Sequence, residues 1–238
     1  MSETNPAGRS ETGPEEDPFA FFTLWFEEAE ASEALAEAMV LATASREGRP
    51  SARMVLLKGV DPRGAEGRPS RDAVASTIAS ARMVLLKGVD PRGAEGRGFV
   101  FYTNRDSRKG RELAENPEAA LLFYWKRRNR QVRIEGKVAE VAPEEADAYF
   151  ATRPRLSRLG AWASDQSRPL PARTLLEARL AEAEARFPGE AIPRPPYWTG
   201  FRLVPERFEF WEERPFRLHE RRLFARAGAG WTVTLLYP

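Results

Sequence analysis

The stretch QVRIEGKVAEV, residues 131–141, alternates apolar and polar side chains along most of its length. This period of two is typical of a β-strand with one buried face. Two apolar runs precede it along the chain, GFVFYT at 98–103 and AALLFYW at 119–125. Both are shorter than an ordinary helix and contain several aromatic residues, which also favours strands. The middle of the chain therefore predicts consecutive strands that pair as neighbours.

Strands are also predicted on both sides of this region. MVLATAS at 39–45 and SARMVLLKGV at 51–60 flank the turn REGRP, which is typical of a β-hairpin. Toward the C-terminus, four more strands are predicted at WTGFRLVP, RFEFWEE, RLFARAG and WTVTLLY. Many strands in meander order with a few inserted helices indicate an α+β barrel and not a doubly wound parallel sheet.

Helices are predicted where capping residues precede a change in pattern. Asp17-Pro18 begins a helix that Glu and Ala residues extend to about Ala38. Asp106 is the predicted N-cap of a short helix that ends before Pro117, and further helices are predicted from Pro143 to Phe150 and at 171–187. Residues 1–17 are polar and acidic and predict a disordered tail, which leaves 18–238 as a single domain.

The composition excludes several classes of chemistry. The 238 residues carry 37 Lys and Arg against 35 Asp and Glu, so a general polyanion-binding surface is not indicated. Cysteine is absent and His219 is the one histidine, which excludes disulfides, thiolate nucleophiles and multi-His metal sites. No apolar run reaches the ~18 residues of a membrane span, and the N-terminus shows no secretory signal pattern. We expect a cytoplasmic protein that binds neither nucleic acid nor membrane, and an enzyme of this composition would depend on an organic cofactor.

Two clusters of polar residues could bind an anion. Ser107, Arg108 and Lys109 stand at a predicted helix start, where backbone N–H groups and the helix dipole attract negative charge. Tyr149, Arg153 and Ser157 are spaced by four, which suits a phosphate-binding face if the helix continues, kinks or restarts at Pro154. The alternatives are a solvated helix start for the first cluster and an exposed amphipathic face for the second.

A third candidate is RLHER at 217–221. If this segment is a strand, Arg217, His219 and Arg221 point to one side of it. The lone histidine between two arginines is an unusual choice for a core. The alternative is a basic strand that faces solvent.

These segments together resemble the pyridoxamine 5′-phosphate oxidase family, flavin enzymes of vitamin B6 metabolism. FEFW at 208–211 followed by RLHER fits the family signature, with one departure at Glu212, where the family usually has Gln, His or Gly. RMVLLK, FVFYTN, SRK, RQV, YF-x2-RP-x2-S, GAWAS-x-QS and YWTGFRL occur upstream in the family order. The resemblance covers about Asp17 to Pro238.

The resemblance implies a homodimeric FMN-binding split β-barrel, mostly antiparallel and Greek-key-like, with peripheral helices and two FMN sites at the interface. The implied substrate contacts are Lys87, Tyr149, Arg153, Ser157, Arg217 and His219, of which Arg217 and His219 are the implied catalytic residues. The implied FMN contacts are Arg82, Met83, Val84, Leu85, Leu86 and Lys87 (or Arg53 to Lys58), Tyr102, Thr103, Arg108, Lys109, Gln131, Gln166, Ser167, Trp211 and Arg221. No metal is implied.

The implied reaction is oxidation of pyridoxamine and pyridoxine 5′-phosphates by O2 to pyridoxal 5′-phosphate, with release of H2O2. The acidic segment Ser10–Asp17 departs from the Arg-rich segment of many family members and puts substrate gating in doubt. Two alternatives stay open: another split-barrel flavin oxidase or reductase with a different substrate, and a non-catalytic FMN- or pyridoxal phosphate-binding protein.

The chain also contains an exact duplication. Ser51–Arg68 recurs without change as Ser80–Arg97. Solenoid repeats diverge and need several copies, so this pair predicts an extra loop in the single domain. Only one copy of RMVLLK can occupy the strand between 39–45 and 98–103. We prefer the second copy, because Lys87 then lies close in sequence to Tyr102 and Thr103, as in the family pattern.

Overall fold

The structure is a computed structural model that describes residues 17–61 and 98–238. Nine strands within these ranges form one antiparallel sheet, which confirms the α+β prediction. They are β1 (Ala38–Ala44), β2 (Pro50–Leu56), β3 (Gly59–Asp61), β4 (Gly98–Asn104), β5 (Glu118–Trp125), β6 (Arg130–Glu140), β7 (Trp198–Glu212), β8 (Glu220–Ala227) and β9 (Gly230–Leu235). Neighbours follow the order β2-β1-β5-β6-β7-β4-β3, and β8 pairs with both β7 and β9.

The two ends of this strand order meet where β2 runs into β3. The N–H of Leu57 donates to the carbonyl of Glu37, next to β1, at 2.9 Å. The N–H of Lys58 donates to the carbonyl of Val100 on β4, also at 2.9 Å. Two consecutive residues thus bond to opposite ends of the order, and this contact closes the sheet into a split barrel.

β7 is one strand of 15 residues where the sequence predicted two. Its first half pairs with β4 as far as Leu203, and its second half pairs with β8 from Arg207 onward. Pro205 lies between these partners, opposite a register shift after Glu135 in β6. Because neither β4 nor β8 pairs with Pro205, its missing N–H breaks no bond to either strand.

Five α-helices in the described ranges surround the sheet. They are α1 (Pro18–Glu30), α2 (Arg108–Glu115), α3 (Pro143–Thr152), α4 (Arg155–Ala163) and α5 (Arg173–Arg186). The predicted extension of α1 to Ala38 is wrong. The sheet holds the residues after Glu30 in turns, for example through a 3.0 Å bond from the Trp125 indole to the carbonyl of Ala36. None of the described helices is long and apolar enough to cross a bilayer.

Aromatic side chains of α1 fill one end of the barrel. The ring of Phe22 lies 4.9 Å from Phe99 and 5.1 Å from Phe123, and all three side chains are fully buried. Phe19 packs edge-on against Phe208 at 5.2 Å. Burial of each such ring contributes about 1.5–3 kcal/mol, which makes α1 part of the core.

Two local predictions near the candidate site are corrected. The N-cap of α2 is Ser107 and not Asp106, because the Ser107 hydroxyl accepts the N–H of Gly110 at 3.3 Å. RLHER is not a strand. Phe216 and Arg217 have φ values of 60° and 62°, outside the extended region, and β8 begins only at Glu220. Arg217, His219 and Arg221 therefore do not share one face of a strand.

The first copy of the duplicated segment occupies the strand after β1, so the preference for the second copy there is wrong. All seven residues of Pro50–Leu56 pair with β1. Gly48 makes the intervening turn with a φ of 77°, a conformation that favours glycine. The second copy, with Arg82–Lys87, lies outside the described residues, as does the predicted tail at 1–16.

Candidate functional site

Glu112 on α2 is the centre of a buried ionic cluster beside the β1–β2 hairpin. Its carboxylate accepts hydrogen bonds from Thr43 at 2.6 Å and Ser51 at 2.5 Å. Arg53 Nη2 lies 3.1 Å from the same carboxylate, and Arg108 Nε lies 2.8 Å from it. Burial raises the pKa of Glu112, but these four donors together lower it to about 2. The carboxylate is therefore ionised at neutral pH.

Lys109 places a third cation beside this cluster. Burial and the charge of Arg53 lower the pKa of Lys109 to about 8, although the charge of Glu112 opposes them. Lys109 Nζ donates to Gln166 Oε1 at 2.9 Å, and Thr103 Oγ1 donates to the same oxygen at 3.0 Å. Three cations around one carboxylate leave an excess of positive charge that suits a phosphate monoester. The structure thus brings together Arg53, Thr103, Arg108, Lys109 and Gln166 of the predicted site.

Arg153, at the end of α3, lies in an aromatic pocket. Its guanidinium carbon is 4.8 Å from the ring centre of Trp198 and 5.5 Å from that of Phe150. Tyr149 stacks on Tyr102 at 4.0 Å, and burial raises the pKa of both hydroxyls. Within the described ranges, Arg153 Nη1 is buried and has no hydrogen-bond partner. Such a group is costly unless a ligand satisfies it, so the pocket suits an anion.

Lys58, where the barrel closes, is coupled to Arg153. Burial lowers the pKa of Lys58, Glu37 opposes this effect, and the charge of Arg153 lowers the pKa further. Lys58 is therefore a second, partly buried cation that adds positive charge near the unpartnered Nη1 of Arg153. α3 ends and α4 begins around Pro154, so the predicted restart is confirmed. Ser157 is exposed on α4, and the structure does not bury it with Arg153.

A second group of predicted residues lies near the end of β7. The ring centres of Trp211 and His219 are 4.6 Å apart. Arg221 pairs with Trp211 across β7 and β8, and its guanidinium lies 2.7 Å from the buried carboxylate of Glu209. His219 Nδ1 accepts the N–H of Arg214 at 3.4 Å. In a neutral His219 ring the proton is then on Nε2, which can donate to a ligand.

Arg217 lies in an exposed turn before β8. Its backbone and that of Phe216 are left-handed, which is costly for residues other than glycine. Phe216 is 93% exposed and Leu218 is 67% exposed. Large apolar side chains in such a position indicate a contact with another molecule. Gln131, another predicted contact, pairs with Trp211 across β6 and β7.

The Arg153 pocket and the group around Trp211 and His219 lie near opposite ends of β7. Tyr102 pairs with Gly200 near the start of the strand, and a Cβ at Gly200 would lie 2.6 Å from the Tyr102 ring. Arg221 pairs with Trp211 near its end. At ~3.3 Å per residue, about 36 Å of strand separates these two positions. Within one chain, the Arg153 pocket and the His219 group are therefore far apart.

Sequence reasoning missed three residues of the site: one in the ionic cluster, one in the Arg153 pocket and one beside Arg221. Glu112 follows Arg108 by one helical turn, which is the only signal that it pairs with a cation of the site. Trp198 is visible only as part of YWTGFRL. Glu209 stands between two buried phenylalanines of β7 and forms ion pairs with Arg133 and Arg221. In each case the burial that gives the residue its role depends on tertiary packing.

Comparisons with known proteins agree with the motifs. Residues 26–187 match the family profile described as pyridoxamine 5′-phosphate oxidase. Residues 198–238 match the profile described as pyridoxine 5′-phosphate oxidase C-terminal dimerisation region. A pyridoxine/pyridoxamine 5′-phosphate oxidase of Sphingopyxis alaskensis is 54% identical over 94% of this chain and 88% of the relative. One from Rubrobacter xylanophilus is 50% identical over 98% of this chain and 92% of the relative.

Solved structures show the same fold. PhzG from Burkholderia lata, in complex with tetrahydrophenazine-1-carboxylic acid, has a TM-score of 0.76 at 30% identity over 96% of this chain and 98% of that chain. A pyridoxamine 5′-phosphate oxidase-related, FMN-binding protein from Nostoc punctiforme has a TM-score of 0.64 at 16% identity over 93% and 98% of the two chains, and supports the fold. The two profile matches and relatives at about half identity show that this chain belongs to the pyridoxamine 5′-phosphate oxidase family, whose cofactor is FMN.

Proposed function

We propose that this chain is an FMN-dependent oxidase that converts pyridoxamine and pyridoxine 5′-phosphates to pyridoxal 5′-phosphate. O2 accepts the two electrons and leaves as H2O2, and oxidation of the amine also consumes water and releases ammonia. The observation that carries the proposal is the buried, unpartnered Nη1 of Arg153 beside Trp198. A substrate phosphate would give this nitrogen a charge-assisted hydrogen bond.

The ionic cluster around Glu112 fits the phosphate of FMN. Arg53, Arg108 and Lys109 surround one carboxylate, and the remaining positive charge balances a phosphate that carries about −1.5 to −2. FMN held by these residues would supply the redox chemistry, as the acceptor of a hydride equivalent from the C4′ carbon of the substrate. The protein binds the flavin and the substrate, orients them, and excludes water from the site.

The remaining predicted FMN contacts would complete this site. Ser167 follows Gln166 with a left-handed φ of 71°, which turns the chain directly after the amide that binds Lys109. Tyr102 presents its ring beside Tyr149. We assign the flavin to a position that these side chains share with Gln131, Trp211 and Arg221.

This assignment requires two chains. The Arg153 pocket and the His219 group are far apart on one chain, whereas a small substrate must touch both. We propose that Tyr149, Arg153 and Lys58 bind the substrate phosphate, with Ser157 at the helix start. Arg217 and His219 of the partner subunit then hold the pyridine ring and its 4′ substituent. Exposed Phe216 and Leu218 support a homodimer, since they lie within the segment that matches a dimerisation region.

We also propose that the first copy of the duplication serves the site. Arg53 bonds to the Glu112 cluster, and Lys58 is electrostatically coupled to Arg153. Both residues belong to the copy that pairs with β1. In this proposal Arg53 to Lys58 take the roles that the family pattern gave to Arg82–Lys87.

Turnover assays test the function. The purified protein is supplied with pyridoxamine or pyridoxine 5′-phosphate in air, and aldehyde and H2O2 are measured. An anaerobic titration with pyridoxamine 5′-phosphate should also bleach the flavin absorbance. Flavin-loaded protein that gives neither product nor bleaching would contradict the proposal. That result would leave a binding role or another substrate, such as a tetrahydrophenazine of the kind bound in the PhzG structure.

A further inference from the structure

The carboxylate of Glu112 connects three elements and uses both of its oxygens. Oε2 accepts from Thr43 on β1 and from Ser51 and Arg53 on β2, whereas Oε1 accepts from Arg108 on its own helix. The side chain is only 7% exposed. A buried carboxylate with this many donors is held in one position.

Glu112 in turn fixes the two arginines. Arg53 Nη1 donates to the carbonyl of Leu41 at 3.3 Å and to Thr43 at 2.6 Å, while Nη2 donates to Glu112 and Ser51. The guanidinium plane of Arg53 is thereby locked. Arg108 uses Nε for Glu112, and in the described part of the chain its two terminal nitrogens have no partner. These two nitrogens can donate a pair of parallel hydrogen bonds to an anion.

A negative charge at this place is unexpected on electrostatic grounds. A carboxylate beside a phosphate-binding cluster repels the phosphate and weakens the attraction of the cations. The carboxylate of Glu112 must therefore contribute by holding the cations in position. Without Glu112, the three cations Arg53, Arg108 and Lys109 would repel one another, and Arg53 and Arg108 would lose their common anchor.

We infer that Glu112 is a positioning residue, which holds Arg53 and Arg108 in the geometry that binds the phosphate of FMN. The inference rests on the proposed function, because it assumes that FMN occupies this cluster. It predicts a specific signature. Loss of the carboxylate should weaken the binding of a flavin that has the phosphate and should not affect a flavin that lacks it.

The test is Glu112→Gln in the flavin-free full-length chain, titrated with FMN and with riboflavin by quenching of flavin fluorescence. Glutamine keeps the size of the side chain but removes the charge and turns an NH2 group toward the donors. We expect the dissociation constant for FMN to rise about tenfold or more and that for riboflavin to stay unchanged. The matched control is Glu115→Gln, an exposed carboxylate on the same helix, which should change neither constant.

Several results would overturn the inference. Tighter FMN binding by Glu112→Gln would mean that the carboxylate acts only through its charge, and an equal loss for both flavins would mean that it only stabilises the fold. If the variant does not fold, Thr43→Val removes one donor to Glu112 and one acceptor of Arg53, and it keeps every cation of the cluster. It should lower FMN affinity selectively by a smaller factor, and unselective loss would overturn the inference. A wild-type protein that binds FMN while Glu112→Gln binds it equally well would overturn this inference alone, whereas a wild type that binds no flavin would overturn the proposed function.

Discussion

The two ends of β7 differ in how much of their chemistry one chain completes. At the Gly200 end, Tyr149, Tyr102 and Trp198 form a stack, and the partly buried guanidinium of Arg153 lies over Trp198. At the Trp211 end, Arg217 is exposed in left-handed backbone. The first end is packed inside the chain, whereas the second leaves Phe216, Arg217 and Leu218 exposed.

This difference separates two tasks of one site. The substrate phosphate is charged and is not altered by the reaction, so a rigid pocket with a partly buried cation binds it well. Orientation of the reacting ring requires groups that approach from the opposite side. In the proposed dimer the exposed end of one subunit supplies these groups to the packed end of the other, which explains why Phe216 and Leu218 remain uncovered in a single chain.

The largest effect is expected for Arg217→Lys at the exposed end. Lysine keeps the positive charge but loses the planar fork that would align the substrate. We expect kcat/KM to fall about a hundredfold while the flavin content of the purified protein is unchanged. Steady-state kinetics and flavin absorbance measure the two quantities. Equal loss of activity and flavin would instead make Arg217 a flavin ligand or a structural residue.

Mixed dimers test the comparison directly. If each site takes Arg153 from one chain and Arg217 from the other, co-expressed Arg153→Ala and Arg217→Lys chains form dimers with one intact site. Random assembly should restore about a quarter of the wild-type kcat/KM, measured at substrate concentrations far below the KM of Arg153→Ala. Activity no higher than that of the two separate variants would show that both residues act within the same chain.

A smaller and different effect is expected for Arg153→Ala at the packed end. A phosphate anchor remote from the reacting carbon contributes similar binding energy to substrate and transition state. KM for pyridoxine 5′-phosphate should therefore rise about thirtyfold with little change in kcat. The control is Arg155→Ala. Arg155 is the first residue of α4, and its guanidinium donates to the carbonyl of Phe187. An unchanged KM in Arg153→Ala would remove Arg153 from the substrate site.

The duplicated lysines give the next test. Lys58 is partly buried and its charge acts on Arg153, so Lys58→Ala should reduce kcat/KM about fifteenfold. Lys87→Ala, the identical change in the identical local sequence, should be nearly silent and is the matched control. Loss of activity in Lys87→Ala alone would place the second copy in the site, and partial loss in both would indicate two interchanging registers.

The choice between these copies shows where sequence reasoning ends. Ser51–Arg68 and Ser80–Arg97 have the same residues, so no local pattern separates them. The pairing of Pro50–Leu56 with β1 decides, together with the bonds of Leu57 and Lys58 that close the barrel. The β-strands themselves were predictable because a half-buried strand shows its alternation directly in the sequence.

Parts of the candidate site were predictable for a similar reason. Arg108 and Lys109 stand at a helix start, and Tyr149 and Arg153 stand one turn apart, so local spacing brings them near each other. The shape of RLHER was not predictable, because Phe216 and Arg217 adopt a left-handed backbone that their residue types disfavour. Glu112 was missed because nothing in the sequence shows that its carboxylate is buried among cations.

The smallest effect concerns pH at the flavin phosphate cluster. Burial lowers the pKa of Lys109 from 10.5 to about 8 in the chain without flavin. A bound phosphate favours the charged ammonium, so above pH 8 FMN binding must be accompanied by proton uptake. The dissociation constant for FMN should rise about tenfold between pH 7 and pH 9, measured by fluorescence titration.

The stability of the flavin-free chain should depend on pH in the opposite direction. Between the folded pKa of about 8 and the unfolded value of 10.5, the unfolded chain binds more protons at Lys109 than the folded chain does. The contribution of Lys109 to the free energy of unfolding therefore rises with pH across this window. Lys109→Gln should flatten both the FMN affinity profile and this part of the stability profile, while riboflavin affinity stays independent of pH in both proteins. A wild-type FMN affinity that is flat from pH 7 to 9, or a slope that persists in Lys109→Gln, would show that another group titrates at the site.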